Sequence, residues 1–449
     1  MAMPPRVIVI GAGTGGMCLA HGLKRAGIPV EVYERDRDRA DGLHGYRVGI
    51  DPDGSRALHA CLPPELYDTF VATCARAPMH FTMLDERLSE LLSLPLRDES
   101  DPINSEKSVS RMTLRQVLLT GLEDVVRFDK TFTHFEQDPG GSVTAHFADG
   151  TRATGDLLVA ADGTGSRVRR QYLPHAVVEP AGVIAIGGKV ELNEQTKALL
   201  PPKVFAGISI VFAPKGYSCV LHVMEFKWDR AGVPHPHIGA SDAALLAKWP
   251  GLMYDNTRDY INWGFAAATT RFPSDVMAMR GADLAHLALE MTPGWHPHLR
   301  TLFELTDPGT AFPVNIATST PVPAWEATHV TLLGDAIHTM TPGRGVGANT
   351  ALRDAALLCR TLRDVRDGKA TVREAVARYE AKMTEYGFAA VRDSRRKQSG
   401  DDPLHKPYIG RAVLAGMRTG MRVANRLPAV KRRMSDALYQ YRGAEREED

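Results

Sequence analysis

No stretch restricts the fold of this chain more than residues 7–34, VIVIGAGTGGMCLAHGLKRAGIPVEVYE. Val7 to Ile10 is a short β-branched run of the kind that fills a buried parallel strand. Gly11, Gly13 and Gly16 follow as G-x-G-x-x-G. The first glycine permits a tight turn, the second lets backbone approach a pyrophosphate, and the third lets the next helix pack closely on the strand. The helix carries Met17, Leu19, Ala20 and Leu23 and ends at Gly27; Val30 to Tyr33 then forms a second strand with Glu34 at its tip. An acid there can accept ribose hydroxyls, so the unit reads as a nucleotide site.

A chain of 449 residues, 44% hydrophobic and 24% charged, can bury a large core and suggests two or three domains. Its net charge of +1 gives no global field toward nucleic acid. The five cysteines, Cys18, Cys61, Cys74, Cys219 and Cys359, are odd in number and form no C-x-x-C pair. Neither a disulfide framework nor a metal site is expected, and a reducing cytoplasm is the expected location. The start, MAMPPR, leaves no room for a signal peptide, and no apolar run approaches the roughly 20 residues of a membrane helix, so stable membrane insertion is not expected.

Further along, Arg35 and Arg47 are either solvated arginines or contacts to adenine or phosphate. Residues 55–62 and 65–72 read as helices, whereas 81–96 has no clear period. Ser110 to Leu122 is an amphipathic helix with Leu114, Val117, Leu118 and Leu122 inward. Arg111 in its first turn opposes the helix dipole, which suits either a cofactor contact or plain solvation. Residues 125–161 alternate as short strands and deliver Asp162-Gly163, followed by Ser166, Arg167 and Arg169. Between 171 and 313 the texture changes to strands at 182–192, 208–212, 217–226 and 260–269, with a helix around 242–248; an open antiparallel or mixed sheet is expected. Met224 with Phe226, and Trp263 with Phe265, share strand faces and either line a pocket or fill the sheet core.

Thr328 to Leu352, THVTLLGDAIHTMTPGRGVGANTAL, brings back a buried strand, Asp335 at its end, and a second glycine-rich turn opening a helix. Asp335 is either a helix cap or an acceptor for a polyol hydroxyl. Helix continues over 379–395. From 405 to 434 the chain is basic and amphipathic, which suits a helix packed on its own domain or a surface lying on a membrane.

The segments GAGTGG with Glu34, LLVAADGTGSRVR, and LLGDAIHTMTPGRGVGAN occur in this order in one family, and the chain resembles the class A FAD-dependent monooxygenases over residues 6–390. The resemblance implies an α/β fold: a Rossmann-like FAD-binding domain, an inserted mixed-sheet substrate domain and C-terminal helices. It places the FAD-binding parts at 1–75, 107–170 and 314–400, the substrate domain at 76–106 and 171–313, and the C-terminal helices at 401–449. Gly11, Gly13, Gly16 and Glu34 would hold pyrophosphate and ribose. Arg111 matches R-x-x-L-x-x-x-L with Leu114 and Leu118, near the FAD chain. Asp162-Gly163 would serve FAD and NAD(P)H, Asp335 the ribityl hydroxyls, and Pro342, Gly345, Gly347, Ala348 and Asn349 the isoalloxazine.

The activity implied is reduction of FAD by transiently bound NAD(P)H, reaction with molecular oxygen to a C4a-hydroperoxide, and transfer of one oxygen atom to a bulky hydrophobic small molecule of polyketide or aromatic type. No catalytic side chain is assigned; His44, His222 and His338 are candidate bases for a phenolic substrate. Members resembling the decalin-forming cyclases of spirotetronate biosynthesis keep FAD without redox chemistry, and a [4+2] cycloaddition is the alternative. A flavin halogenase is disfavoured because no W-x-W-x-I-P exists: Trp228, Trp249, Trp263, Trp295 and Trp325 all stand apart. A cofactor-free binding protein is disfavoured by the intact Glu34, Asp162 and Asp335.

Overall fold

A computed structural model describes residues 3–39, 46–96, 101–226 and 259–441. The expected helix at 242–248, together with His44, Trp228 and Trp249, lies outside the described residues.

The leading motif forms the centre of a five-stranded parallel sheet. Its strands are β1 (Val7–Ile10), β2 (Val30–Tyr33), β7 (Val126–Arg127), β11 (Leu157–Ala160) and β17 (Val330–Leu332), in the order β17-β11-β1-β2-β7. β1, β11 and β17 are buried along their whole length, as continuous apolar strands must be when both faces are covered. Helix α1 (Thr14–Arg25) crosses from β1 to β2, and its buried stripe packs mainly on the helix Gly347–Arg366. A three-stranded antiparallel flap, β8 (Phe132–Gln137), β9 (Val143–Phe147) and β10 (Arg152–Gly155), stands beside this sheet. A two-stranded ribbon, β3 (Arg47–Ile50) with β6 (Lys107–Ser110), joins the nucleotide unit to the remainder; between its strands run α2 (Pro52–Cys61) and α3 (Pro64–Thr73). α4 (Arg111–Leu119) follows β6 directly.

The second layer is a seven-stranded mixed sheet. It contains β4 (His80–Asp85), β5 (Glu90–Pro95), β12 (Val178–Glu191), β13 (Gly207–Phe212), β14 (Ser218–Met224), β15 (Tyr260–Ala268) and β16 (Phe312–Ser319), in the order β16-β12-β15-β14-β13-β4-β5. The β4–β5 hairpin falls in the stretch that shows no period in sequence. One face of the sheet carries α6 (Ala282–Met291) and α7 (Pro297–Glu304) over a core that includes Ile186, Trp263, Phe265, Leu284 and Phe303. The opposite face turns toward the nucleotide unit, where Met224, Phe226 and Tyr260 pack on Ala72 and Ala75.

α5 (Arg167–Tyr172), α8 (Asp335–His338), α9 (Gly347–Arg366) and α10 (Val372–Lys397) complete the nucleotide unit. The chain then runs to α11 (Ile409–Arg426) and α12 (Pro428–Tyr441). α11 lies along the edge strand β5: Ser93 N–H donates to Asn425 Oδ1 at 3.2 Å, Arg418 bonds Glu86 and the Phe212 carbonyl, and Arg422 pairs with Asp85 at 3.3 Å. The basic amphipathic helix thus turns Arg418 inward, pairs the exposed Arg422 at its rim, and covers an edge that would otherwise be open to other chains. No helix among the described residues is long and apolar enough to cross a membrane.

Glu380 on α10 is buried beneath β17, with one carboxylate oxygen accepting from the Thr331 hydroxyl at 2.8 Å. Burial pushes its carboxyl up to about 7 against the opposing Thr331 bond. Between the ordinary value of 4.5 and 7 the folded chain keeps a proton that the unfolded chain releases, so stability falls through that window and is flat above it. Glu380→Gln is therefore expected to gain roughly 1–3 kcal/mol at pH 8 and almost nothing at pH 4.5. Urea unfolding at the two pH values checks this; an equal gain at both sinks the linkage.

Candidate cofactor site

The glycine turn is built on close backbone approach. Gly11 has φ +105°, and a Cβ on it would stand 2.4 Å from the Ala161 carbonyl oxygen at the end of β11. Gly13 caps α1 without any side chain, so the first-turn N–H groups remain free of side-chain competition. Glu34 closes the turn from below: one carboxylate oxygen accepts from Ala12 N–H at 2.7 Å and the other from Asp36 N–H at 3.0 Å. Arg35, one residue on, is exposed.

β11 delivers Asp162 to the same end of the sheet. One of its oxygens accepts from Arg167 N–H at 2.9 Å, and the other is buried without a hydrogen-bond partner. Burial raises its carboxyl, opposed by the bonds from Ser166 and Arg167. Gly163 follows with φ +74°, and among the described residues beyond its chain neighbours no atom lies within 4 Å of where its Cβ would be. Buried Arg169 staples this loop to the next by donating to the Thr164 carbonyl at 2.9 Å and the Ala336 carbonyl at 2.8 Å.

β17 places Asp335 at the first turn of α8, after Gly334 with φ +59°. The cap position itself is Gly334, and Asp335 stands one residue later as an acid in the first turn, where its charge complements the helix dipole. Asp335 is solvent-exposed although protein surrounds its carboxylate, and it borders the cleft at the sheet end that it shares with Gly11 and Asp162. That enclosure raises its carboxyl, while the charges of His338 and Arg111 oppose the rise. Arg111, exposed at the start of α4, is thereby brought within electrostatic reach of Asp335. Behind the cleft, fully buried Asp354 accepts from Gly334 N–H at 2.7 Å, from Tyr386 hydroxyl at 2.6 Å, and bonds His338 Nε2 at 2.7 Å. Burial lowers the His338 imidazole, but the Asp354 charge more than offsets it and the net shift is upward. Asp354 is absent from the sequence reading; the signal was an acid on the same stripe of α9 as Leu358 and Leu362.

The second glycine-rich turn holds exposed Pro342, Gly345 with φ +65°, and Gly347 and Ala348 at the head of α9. Asn349 is buried and fastens this turn to the ribbon: its Oδ1 accepts from Asp51 N–H at 3.0 Å and its Nδ2 donates to the Gly49 carbonyl at 2.9 Å. Arg47 is held within the ribbon, donating to Ser108 Oγ at 3.1 Å and pairing with Glu106 at 3.6 Å.

Strand register identifies the sheet face turned away from α6 and α7. Ile210, Val220 and Gly264 lie side by side on it; Val220 is 38% exposed, and nothing among the described residues comes within 4 Å of a Cβ built on Gly264. Tyr46 stacks on Phe312 with ring centres 5.5 Å apart at its margin. Trp263, expected as a pocket residue, points the other way. It is fully buried against Phe303 with its indole N–H donating to Thr306 at 2.9 Å, because successive strand residues alternate faces. Met224 and Phe226 are on the cleft-facing side but are closed off by Ala72 and Ala75. His222 bonds Ser108 Oγ at 3.3 Å and His338 is sealed beside Asp354, so neither is presented as a free base.

The residues present fit a long dinucleotide. Among the described residues, Asp162 has a buried carboxylate oxygen without a partner, Asp335 is exposed, and nothing lies within 4 Å of a Cβ built on Gly163, Gly165 or Gly345. Comparisons with known proteins agree. A profile described as an FAD binding domain matches residues 309–394. A dual O-methyltransferase/FAD-dependent monooxygenase of Cercospora beticola is 33% identical over 84% of this chain, which spans only 44% of that protein's length. An FAD-dependent urate hydroxylase of Klebsiella pneumoniae is 30% identical, with 87% of this chain and 89% of the relative covered. A solved Photorhabdus luminescens protein assigned as an FAD-containing monooxygenase is similar at 32% identity and a TM-score of 0.73, covering 87% of this chain and 97% of that one.

Proposed function

This chain belongs to the FAD-dependent monooxygenases, and from that premise we propose that it inserts one atom of molecular oxygen into a bulky, largely apolar small molecule at the expense of NAD(P)H. The reading rests on relatives named as FAD-dependent monooxygenases that are similar along most of this chain, and on Ile210, Val220 and Gly264 lying side by side on the sheet face away from α6 and α7. Similar proteins named as monooxygenases favour oxygen transfer over cycloaddition.

In this proposal Gly11, Gly13, Gly16 and Glu34 hold the ADP end of FAD. Arg111, Asp162, Gly163 and Asp335 hold the chain between its ends, and the turn from Pro342 through Asn349 holds the ring. Arg35 and Arg47 stand beside the nucleotide end. FAD, once reduced, supplies the activation of oxygen. The chain itself supplies three things. The N–H groups at the head of α9, with the positive end of its dipole, stabilise negative charge placed there. The Arg111 guanidinium adds a fixed positive charge near Asp335. The apolar sheet face displaces water from the reacting end of the substrate. We extend the proposal to the division into nucleotide and substrate domains expected from sequence, and to a reducing cytoplasm, with which five buried cysteines in thiol form are consistent.

The test is anaerobic. Adding NADPH or NADH to the yellow protein, with and without a panel of aromatic and polyketide-like compounds, should bleach the flavin, faster when a true substrate is present. Readmitting oxygen should then yield a product heavier by one oxygen atom. Flavin that stays oxidised while a substrate becomes an isomer of unchanged mass overturns oxygen transfer in favour of cycloaddition.

A further inference from the structure

Away from the cleft, the outer face of the β8–β9–β10 flap gathers two histidines and a carboxylate. His134 and His146 are directly opposed across the antiparallel pair, and Glu136 follows His134 by two residues, which sets all three on the solvent side. The imidazole rings stack with centres 4.4 Å apart and 4° between planes. Glu136 reaches both: its oxygens lie 3.5 Å from His146 Nε2 and 4.0 Å from His134 Nε2, and the three ligand-capable atoms are all within 4.8 Å of one another.

The surrounding hydrogen bonds fix which ring atom is free. The Thr133 hydroxyl has one proton and donates it to the His146 carbonyl at 2.9 Å. Its oxygen lies 3.1 Å from His134 Nδ1, so that ring nitrogen is the donor of the pair. In the neutral imidazole the lone pair then sits on Nε2, facing Glu136. His146 Nε2 is itself buried without a hydrogen-bond partner. Two ring nitrogens and a carboxylate therefore converge, and the arrangement calls for a cation among them. Arg152, opposite His146 on β10, is the cationic neighbour by register and is exposed.

We propose that His134, Glu136 and His146 form a site for a divalent transition ion of the zinc class, with its remaining positions taken by water. Two imidazoles and a carboxylate suit such an ion at bond lengths of about 2.0–2.2 Å, so the ligand atoms must draw together and the parallel rings turn toward one another, a change that the exposed His134 and Glu136 can make by switching rotamers around the half-buried His146. Thr133 orients His134 from behind, as outer partners of metal-bound histidines do. The ion would tie β8 to β9.

Calorimetric titration of the tag-free, FAD-loaded full chain with zinc chloride at pH 7.5 tests this. One equivalent should bind with a Kd in the micromolar range. His134→Ala and His146→Ala should each weaken it at least tenfold, and Glu136→Gln, nearly isosteric, should weaken it measurably while leaving flavin content and metal-free melting unchanged. No stoichiometric binding by the wild-type chain overturns the proposal. So does equal affinity in the His134→Ala/His146→Ala double variant, which assigns the ion elsewhere.

Discussion

Replacing Gly11 with valine is expected to leave the chain without bound FAD. Two costs coincide at this position. A β-branched residue at φ +105° occupies a conformation that L side chains rarely adopt, at a cost on the order of 1–3 kcal/mol. Its Cβ would also stand 2.4 Å from the Ala161 carbonyl oxygen, and that contact belongs to backbone on both sides, so no side-chain rotation relieves it. The turn must open, and with it go the Ala12 N–H bond to Glu34 and the alignment of the α1 N-terminus. The ratio of flavin to protein absorbance should fall at least tenfold in material whose far-ultraviolet circular dichroism is retained. An undiminished flavin ratio in Gly11→Val would show that the turn does not carry the cofactor.

Asn349→Ala should produce the largest loss of stability. Its amide satisfies the Asp51 N–H and the Gly49 carbonyl, groups some 300 residues earlier, inside a buried contact. Alanine leaves both unpaired, each at roughly 1–3 kcal/mol, so the variant should lose about 2–5 kcal/mol. Because the same side chain seats the turn before α9 against the ribbon, the added stability that FAD confers on the wild-type protein should shrink as well. Urea unfolding with and without FAD measures both effects. A loss below about 1 kcal/mol would mean that water replaces the amide.

The parts of this fold that were legible in sequence are those whose signal is local. The β1–α1–β2 unit is one: strand, glycines, helix and acid lie within 28 consecutive residues, residues 7–34, and each constrains its neighbour. The β12, β13, β14 and β15 strands were legible for a similar reason, since each is an apolar run bounded by turn residues. The β4–β5 hairpin was not, because Leu91 to Leu94 is buried on successive residues and gives no period of two. Trp263 marks another limit. Alternation says that it and Phe265 share a face, but which face meets the cleft depends on where α6 and α7 settle. Pairings such as Arg111 with Asp335, or Asp354 with His338 and Tyr386, join elements whose adjacency only the assembled sheet decides. The cross-strand histidines likewise required the register of β8 on β9.

The strand order of the nucleotide sheet also sets a timetable for its synthesis. β11 lies between β1 and β17, pairing Val7 with Leu157 on one side and Leu158 with Val330 on the other. A ribosome adding about 5–20 residues per second needs on the order of ten seconds or more to pass from β11 to β17. Throughout that interval the LLVA strand has an unpaired edge, and the Asp335 turn does not yet exist. The nascent chain therefore carries an apolar, sticky half-sheet while the whole substrate layer is being made, and it is exposed to chaperones and to self-association until residue 332 emerges. Slower growth at low temperature and a supply of FAD should raise the soluble yield of this protein more than they would for a chain whose central strands are neighbours in sequence.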